Sequence, residues 1–196
     1  GFNEASGFTA MMAAFYPGLR PAGDPVSALA GAARRAAGEG SLTAFVHATS
    51  YSDDRQVVEY LAARWREAGL KARLVAPDHL RWEEGRAWIE NGRGREEANC
   101  LFRFFPGEWL PALPRRSGWR HFFRGAQTPI CNPATALLTQ SKRFPLAWDS
   151  LKAPLAAWRS LLPPVRDPCG IPSGDLEGWV LKPAWGRVGE GVGIPG

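Results

Sequence analysis

The chain has 196 residues and a net charge of +5, with 45% hydrophobic and 22% charged residues, a composition typical of globular proteins. This length suffices for one sizeable core or two small ones. No run of eighteen apolar residues occurs, which excludes a transmembrane helix in this sequence. The positive charge permits an anionic ligand or a nucleic acid, but it is dispersed, and we interpret Arg-rich loops such as Arg115-Arg116 as solvated surface.

The cysteines indicate the cellular compartment of the protein, and the chain ends indicate whether the sequence is a whole protein. Three widely spaced cysteines, Cys100, Cys131 and Cys169, indicate reduced thiols in a cytoplasmic protein rather than a disulfide framework. The sequence starts with Gly1 and stops in a glycine-rich stretch. We therefore expect a piece of a longer protein, whose oligomeric state the sequence leaves open.

The first elements predict a strand–helix–strand unit. Residues 27–37 have a helical pattern, and the nearly continuous apolar run at 42–48 predicts a buried strand. A helix follows at about 53–68, with a capping box predicted at Asp53 and Gln56 and a left-handed ending at Gly69. Its apolar face comprises Val57, Val58, Leu61, Ala62, Trp65 and Ala68. A strand at 71–76 completes a right-handed βαβ unit with a parallel sheet.

Shorter elements are predicted after this unit. The charged segment 83–97 indicates a small hairpin or loop, and strands are predicted at 99–105 and 128–131. A helix is predicted from Pro133, which fits a first helical turn, to about residue 144, with Asn132 as its N-cap. Prolines at 154, 163, 164, 168 and 172 then mark a linker zone.

Tryptophans are numerous, nine in all. Trp65, Trp148 and Trp158 fall on apolar faces, and we predict that they lie in cores rather than act as platforms for base stacking.

The most informative segment is the last one. An apolar run at 179–181 is followed by Lys182 and Pro183, and then by glycines at 186, 189, 191 and 193. Glycines at this density allow tight bends that bring backbone N–H groups against a ligand, and an ammonium group beside such a loop suits a polyphosphate. The Gly-Lys-Ser/Thr ending of the Walker motif is absent. A simple surface hairpin is the alternative.

A second lysine precedes this segment by about forty residues, in the pair Ser141-Lys142. Two lysines on separate short elements, Lys142 and Lys182, could hold one triphosphate from two sides. The alternative is that both are ordinary surface residues.

These motifs resemble the glutathionylspermidine synthase family of ATP-grasp ligases. The pattern Asn-Pro…Ser-Lys, followed by a strand with Lys-Pro-x-x-Gly-Arg-x-Gly, is similar to the segments that carry the family's two nucleotide lysines, here Lys142 and Lys182. The resemblance extends over nearly the whole chain and includes the segments 43–47, 54–61, 80–82 and 102–109.

The resemblance implies an α/β fold, with a pre-ATP-grasp-like parallel sheet and flanking helices, plus the opening part of an ATP-grasp α+β domain. Residues 1–40 would belong to the metal and substrate side of the site. Residues 41–140 would form the pre-ATP-grasp-like domain, and residues 141–196 would begin the nucleotide-binding region.

The implied function is an ATP-dependent carboxylate–amine ligase that forms an amide bond through an acyl phosphate. ATP and Mg²⁺ would be its cofactors, and a small-molecule or peptide carboxylate and an amine its substrates, with no nucleic-acid or membrane partner. Lys142 and Lys182 would bind the nucleotide together with Gly186, Gly189 and Gly191. Arg187 would stabilise the transferring phosphoryl oxygens.

The N-terminal residues match the family less completely. Phe2-Asn3 is similar to the family's Glu-[Phe/Tyr]-Asn-Ala-Asp element, whose Glu and Asn hold magnesium, so Asn3 is the implied metal ligand. Gly1 stands where that Glu belongs. Ser6 lies where the family contacts its peptide substrate, and a helix N-cap is the equal alternative for it.

Two other interpretations stay open. The chain could be a catalytically silent relative that binds nucleotide or a peptide partner. The Mg²⁺ carboxylate expected at the position of Gly1, together with any acidic residues beyond Gly196, is the feature that separates this relative from an active ligase. Nucleic-acid binding by a basic, Trp-rich surface is the third, and it should show steep salt dependence. We expect that the 196-residue chain alone does not turn over ATP.

Overall fold

A computed structural model describes residues 11–12, 14–18, 20, 23–92, 94–186 and 189–195. It divides the chain into two compact units, Gly1–Thr135 and Ala136–Gly196, which we call the first and second unit. The helices and strands of the first unit, in chain order, are α1 (Pro25–Ala37), β1 (Leu42–Val46), α2 (Ser52–Glu67), β2 (Lys71–Val75), β3 (Leu80–Glu83), β4 (Arg86–Asn91), β5 (Gly94–Ala98), β6 (Cys100–Arg103), α3 (His121–Arg124) and β7 (Ile130–Cys131).

The centre of the first unit is a four-stranded sheet in the order β2-β1-β6-β7. All three pairings are parallel, with Ala44 opposite both Arg73 and Leu101. The strands predicted at 42–48, 71–76 and 99–105 are therefore neighbours in one parallel sheet, as expected. The short strand β7 falls within the segment predicted at 128–131.

Strand β1 is buried along its whole length because both faces of the sheet are covered. On one face, Phe45 packs in a cluster with apolar residues of α1 and α2. Trp65 of α2 is only 1% exposed; its ring meets Phe45 edge-on at 5.2 Å, and its Nε1 donates to Thr43 Oγ1 at 3.3 Å. The predicted packing of this helix on the sheet is confirmed, and burial of such a side chain stabilises the fold by roughly 1.5–3 kcal/mol.

The two ends of α2 differ in how well the sequence predicted them. The capping box is wrong, because Tyr51 is the N-cap and makes no side-chain capping hydrogen bond. Asp53 lies inside the first turn instead, where its negative charge suits the helix dipole. The left-handed ending is confirmed: Gly69 has φ +79°, and the N–H groups of Gly69 and Leu70 donate to Arg66 O and Trp65 O at 2.9 and 3.0 Å, which is a Schellman motif.

The opposite face of the parallel sheet is covered by a second sheet. Segment 83–97, predicted as a small hairpin or loop, is part of the three-stranded antiparallel sheet β3-β4-β5. Glu84 and Gly85 both have positive φ, as a two-residue hairpin turn requires. Residues of this sheet share one core cluster with Ala44 and Val46. Ion pairs such as Arg81–Glu90 at 2.9 Å connect its strands.

The segment after β6 is anchored by one tryptophan of β3. The Trp82 ring stacks on His121 with centroids 4.3 Å apart, and its Nε1 donates to Ser117 O at 3.0 Å. Gly118 lies against the same ring in the left-handed region, with φ +62°. A Cβ atom at Gly118 would stand 2.2 Å from Trp82 Cδ1, so only glycine fits there.

The segment after β7 departs from the predicted helix. Residues 134–136 form a 3₁₀ turn, and the α-helix that follows, α4 (Leu137–Gln140), has only four residues. Asn132 has φ +59°, and its side-chain amide donates to Arg103 O at 3.0 Å rather than capping a helix. The buried Arg103 guanidinium in turn donates to Asn132 O at 2.7 Å and Pro133 O at 3.3 Å. These tertiary hydrogen bonds override the local helical signals.

The second unit consists mostly of turns and short helices. After α4 it contains a 3₁₀ helix at Phe144–Ser150, helix α5 (Ala156–Leu161) and 3₁₀ turns at Pro168–Gly170 and Ser173–Asp175. The run at 179–181 contributes one isolated antiparallel bridge, between Leu181 and Gly193, where a strand was predicted. In the part of the chain that the structure describes, no helix is both long and apolar enough to cross a membrane.

Gly118→Ala should destabilise the first unit more than Gly69→Ala does. Both positions have positive φ, but a Cβ at Gly69 meets no atom within 4 Å. We expect Gly69→Ala to cost about 1 kcal/mol of unfolding free energy for the left-handed backbone, and Gly118→Ala about 1–3 kcal/mol more, because the new methyl group overlaps Trp82. Urea denaturation measures both values, and equal losses would contradict the close contact.

The buried His47 should make stability depend on pH. Burial lowers the pKa of His47 below its ordinary value of 6.5; Arg55 adds to the effect, while the backbone hydrogen bond with Ala48 and the charges of Asp54 and Glu59 oppose it. The unfolded chain then binds more protons than the folded chain once the pH falls below 6.5. The free energy of unfolding should therefore be highest above pH 6.5 and decrease as the pH falls from there towards the lowered pKa.

Urea denaturation of the parent protein and of His47→Gln, at about pH 7.5 and 5.5, checks this expectation. The parent should lose more stability on acidification than the variant. An identical loss in both proteins would show that His47 does not contribute.

Candidate functional site

A groove of about 1020 Å³ lies within the second unit. Its walls are largely apolar and include three tryptophans, Trp148, Trp158 and Trp179, and a run of prolines. Trp148 is half-buried, whereas Trp158 is 57% exposed, so the prediction that Trp158 lies in a core is wrong. Ligand sites are typically concave and mostly apolar, with a few polar groups that orient the ligand, and this groove has that character.

The polar side chains of the groove are mainly cations. Lys142 and Lys182, the two lysines of the sequence motifs, both line it, and so do Arg143 and Arg166. Asp167, which also lines it, is paired with Arg143 at 2.5 Å. The backbone N–H of Cys169, helped by Arg143, holds the pKa of Asp167 below its ordinary value of 3.8. Among the described lining residues, four cations therefore face one carboxylate.

Two hydrogen bonds hold Lys142 against the segment that follows Lys182. The Lys142 N–H donates to Ala184 O at 3.0 Å, and its ammonium group donates to Gly186 O. Arg166 is held differently, with its guanidinium over the ring of Trp179 at 5.2 Å. Cation–π stacking of this kind leaves the guanidinium N–H groups available to an anion.

The loop that carries Gly186, Gly189 and Gly191, which we call the glycine loop, is closed at its base by backbone hydrogen bonds, and two of its glycines lie against Pro183. Leu181 and Gly193 exchange two backbone hydrogen bonds of 2.8 and 2.9 Å. A Cβ at Gly186 would stand 2.6 Å from Pro183 Cγ and 2.7 Å from Glu190 O, so the loop requires glycine there. Gly189 and Gly191 have positive φ, +80° and +65°, which accounts for glycine at these positions too.

The predicted site residues fall into three groups. Lys142 and Lys182 line the groove. Gly186, Gly189 and Gly191 lie in the adjoining loop and are not among the lining residues, although Gly186 accepts the hydrogen bond of Lys142. Asn3, Ser6 and Arg187 lie outside the described residues. Over the described ranges, no three His, Cys, Asp or Glu side chains are grouped so that they could hold a metal ion.

Sequence reasoning missed several groups that line the groove. Arg143 follows Lys142 directly, and this adjacency was the available signal. Arg166 stands among the prolines of the predicted linker zone, where nothing local distinguishes it from solvated surface. Its place in the groove depends on the stack with Trp179, a contact between positions thirteen residues apart.

Comparison with known proteins identifies the family. A family model described as "Glutathionylspermidine synthase preATP-grasp" matches residues 27–195. The chain belongs to this family. The match confirms the resemblance read from the lysine motifs, agrees with the parallel sheet flanked by helices, and indicates a ligase-type function. A comparison with curated proteins gives no match.

Gly186→Ala should weaken the backbone hydrogen bonds that close the base of the glycine loop. The new methyl group overlaps Pro183 and Glu190 O, so the backbone must shift, and the hydrogen bonds between Leu181 and Gly193 should weaken. Hydrogen–deuterium exchange should then be faster at these two amides. Gly174→Ala is the matched control, because a Cβ there meets no atom within 4 Å. Unchanged exchange in Gly186→Ala would contradict the close packing.

Proposed function

We propose that this chain provides the pre-ATP-grasp domain and part of the nucleotide site of an ATP-dependent ligase that joins a carboxylate to an amine. The observation that supports this most directly is that Lys142 and Lys182, forty residues apart in the sequence, line one groove. Membership of the glutathionylspermidine synthase pre-ATP-grasp family indicates a ligase-type function and supports the proposed reaction.

The charge of the groove suits a triphosphate. ATP carries close to four negative charges at neutral pH, and a polyanion of that size requires several cations around it. Lys142, Lys182, Arg143 and Arg166 line the groove, and only Arg143 among them has a carboxylate partner there. Charge-assisted hydrogen bonds from such groups are short and roughly twice as strong as neutral ones.

The apolar part of the groove suits a flat base. Trp148, Trp158 and Trp179 line it, and aromatic rings bind a purine by offset stacking. Trp158 is 57% exposed, so a ligand that covered its ring would remove apolar surface from water. A nucleotide has both required parts, an aromatic base and a polyphosphate, and the groove offers both kinds of wall.

The proposed reaction proceeds in two steps. The substrate carboxylate attacks the γ-phosphorus of ATP, which releases ADP and forms an acyl phosphate. The amine then attacks the acyl carbon, loses a proton and expels inorganic phosphate, which leaves an amide. The side chains of this chain contribute position and positive charge against the developing negative charge rather than acid–base chemistry.

Magnesium is the cofactor that such a reaction normally requires, because the metal neutralises phosphate charge. The described residues of this chain do not supply a carboxylate cluster for it, and Asn3, the implied ligand, lies outside them. We therefore assign no step to a metal held by the described residues. The proposed roles of Lys142 and Lys182 do not depend on one.

Lys182→Ala and Lys142→Ala should each weaken ATP binding by about tenfold or more, because a hydrogen bond to a charged group contributes about 1.5–3 kcal/mol. Lys152→Ala is the matched control, since Lys152 is an exposed lysine of the same unit outside the groove. Isothermal titration calorimetry with ATP, with and without Mg²⁺, measures the affinities. Equal affinity in Lys182→Ala and Lys152→Ala would refute the assignment.

ADP release separates a ligase from a nucleotide-binding relative. In the intact protein, release should require ATP, a carboxylate substrate such as glutathione and an amine such as a polyamine, and it should decrease in Lys182→Ala. ATP binding without substrate-dependent ADP release would favour the alternative, a catalytically silent relative that binds nucleotide.

A further inference from the structure

Four arginines stand on one short segment of the first unit. Arg115, Arg116, Arg120 and Arg124 are all exposed, and we call them the arginine surface. No Asp or Glu occurs anywhere between Glu108 and Asp149. This segment therefore carries a local excess of positive charge, and the expectation that Arg115 and Arg116 are exposed is confirmed.

Most of the other described arginines of this unit provide a contrast. Seven of them are paired with carboxylates, in the ion pairs Arg34–Glu39, Arg55–Glu59, Arg64–Asp24, Arg73–Glu96, Arg81–Glu90, Arg86–Glu97 and Arg95–Glu83. Among the carboxylates that the structure describes, none pairs with a member of the arginine surface. Its guanidinium groups have a full set of donors for an external anion, apart from the stacking of Arg120 over Trp119 at 5.6 Å.

The backbone that carries these arginines is well fixed. Ser117 and Phe122, which alternate with them, are both 1% exposed, and Trp82 holds Ser117 O and packs edge-on against Phe122 at 5.9 Å. The N–H of Arg124 donates to Arg120 O at 3.0 Å, so these two arginines stand one helical turn apart. Like charges at this spacing destabilise a helix, and an anion bound between them would relieve the repulsion.

We propose that the arginine surface is a docking site for an acidic protein segment, one with clustered Asp or Glu side chains. Guanidinium groups bind carboxylates through paired, parallel hydrogen bonds. Because the segment is already ordered by Trp82, little backbone entropy is lost when a partner binds. Because the arginine surface is positively charged, a complementary partner is negatively charged.

The surroundings of the arginines favour carboxylates over nucleic acid. Single-stranded nucleic acid is bound by aromatic rings that are free to stack on bases, and the rings here have partners already. Trp82 is stacked on His121, and Trp119 is covered by Arg120 and contacts Phe123 edge-on at 5.9 Å.

The test uses a fluorescein-labelled ten-residue glutamate peptide as the probe, with fluorescence anisotropy on the intact protein at about 50 and 200 mM salt. The peptide should bind, and binding should weaken at the higher salt, because exposed charges are screened. Replacement of Arg115, Arg116, Arg120 and Arg124 by Gln should weaken binding by about tenfold or more.

The matched control replaces four paired arginines, Arg55, Arg73, Arg86 and Arg95, by Gln, which removes the same charge from other places. It should weaken binding by less than about threefold, since only non-local charge is lost. All eight positions are exposed, so both variants should keep the thermal midpoint of the parent to within a few degrees.

Three results would overturn the proposal. They are the absence of peptide binding at about 1 mM protein, equal losses in the two variants, and tighter binding of a ten-residue oligothymidylate than of the glutamate peptide. The last result would assign the surface to nucleic acid instead. None of these outcomes depends on ATP binding, so the inference stands or falls separately from the proposed ligase function.

Discussion

The burial of β1 on both faces is the constraint on which the first unit depends. All five residues from Leu42 to Val46 are buried, and a strand buried in this way is stable only if separate layers cover each face of its sheet. Helices α1 and α2 supply one layer, and the antiparallel sheet with the segments around Leu110 and Phe122 supplies the other. Strands β1 and β2 are parallel because α2 carries the chain back across one face of the sheet before β2 pairs with β1.

The buried charge of Arg103 fixes the segments that follow β6 and β7. Arg103 at the end of β6 is 3% exposed, and its guanidinium donates to the carbonyl oxygens of Phe105, Asn132 and Pro133. Burial of a guanidinium is unfavourable unless its donors are satisfied, so the segments after β6 and β7 are held in shapes that present carbonyl groups to it. The left-handed Asn132 is part of that arrangement and interrupts what would otherwise be a helix start.

The second unit combines few regular elements with a concentrated charge. Its groove brings lysines and arginines from different turns next to tryptophan rings, and Lys142 is hydrogen-bonded to the glycine loop through Gly186 O. Lys142 therefore connects the groove to this loop, because it lines the groove while its backbone N–H and its ammonium group donate to Ala184 O and Gly186 O.

Local patterns in the sequence were sufficient to predict β1, α2, β2 and β6, the Schellman ending at Gly69 and the family. The hydrophobic period of a strand or helix, a glycine in the left-handed conformation and the spacing of a motif all depend on residues close in the sequence. Local patterns indicated a hairpin or a loop at 83–97, where β4 and β5 do form a hairpin. They did not predict the three-stranded sheet, since Glu84-Gly85 is an uncommon turn pair and the strands are rich in charged residues paired across the sheet. Nor did they predict the turn at Asn132, which Arg103 imposes from 29 residues away, or the place of Arg166 over Trp179. Such features depend on contacts between distant segments, whose energies outweigh the small local preferences of a few residues.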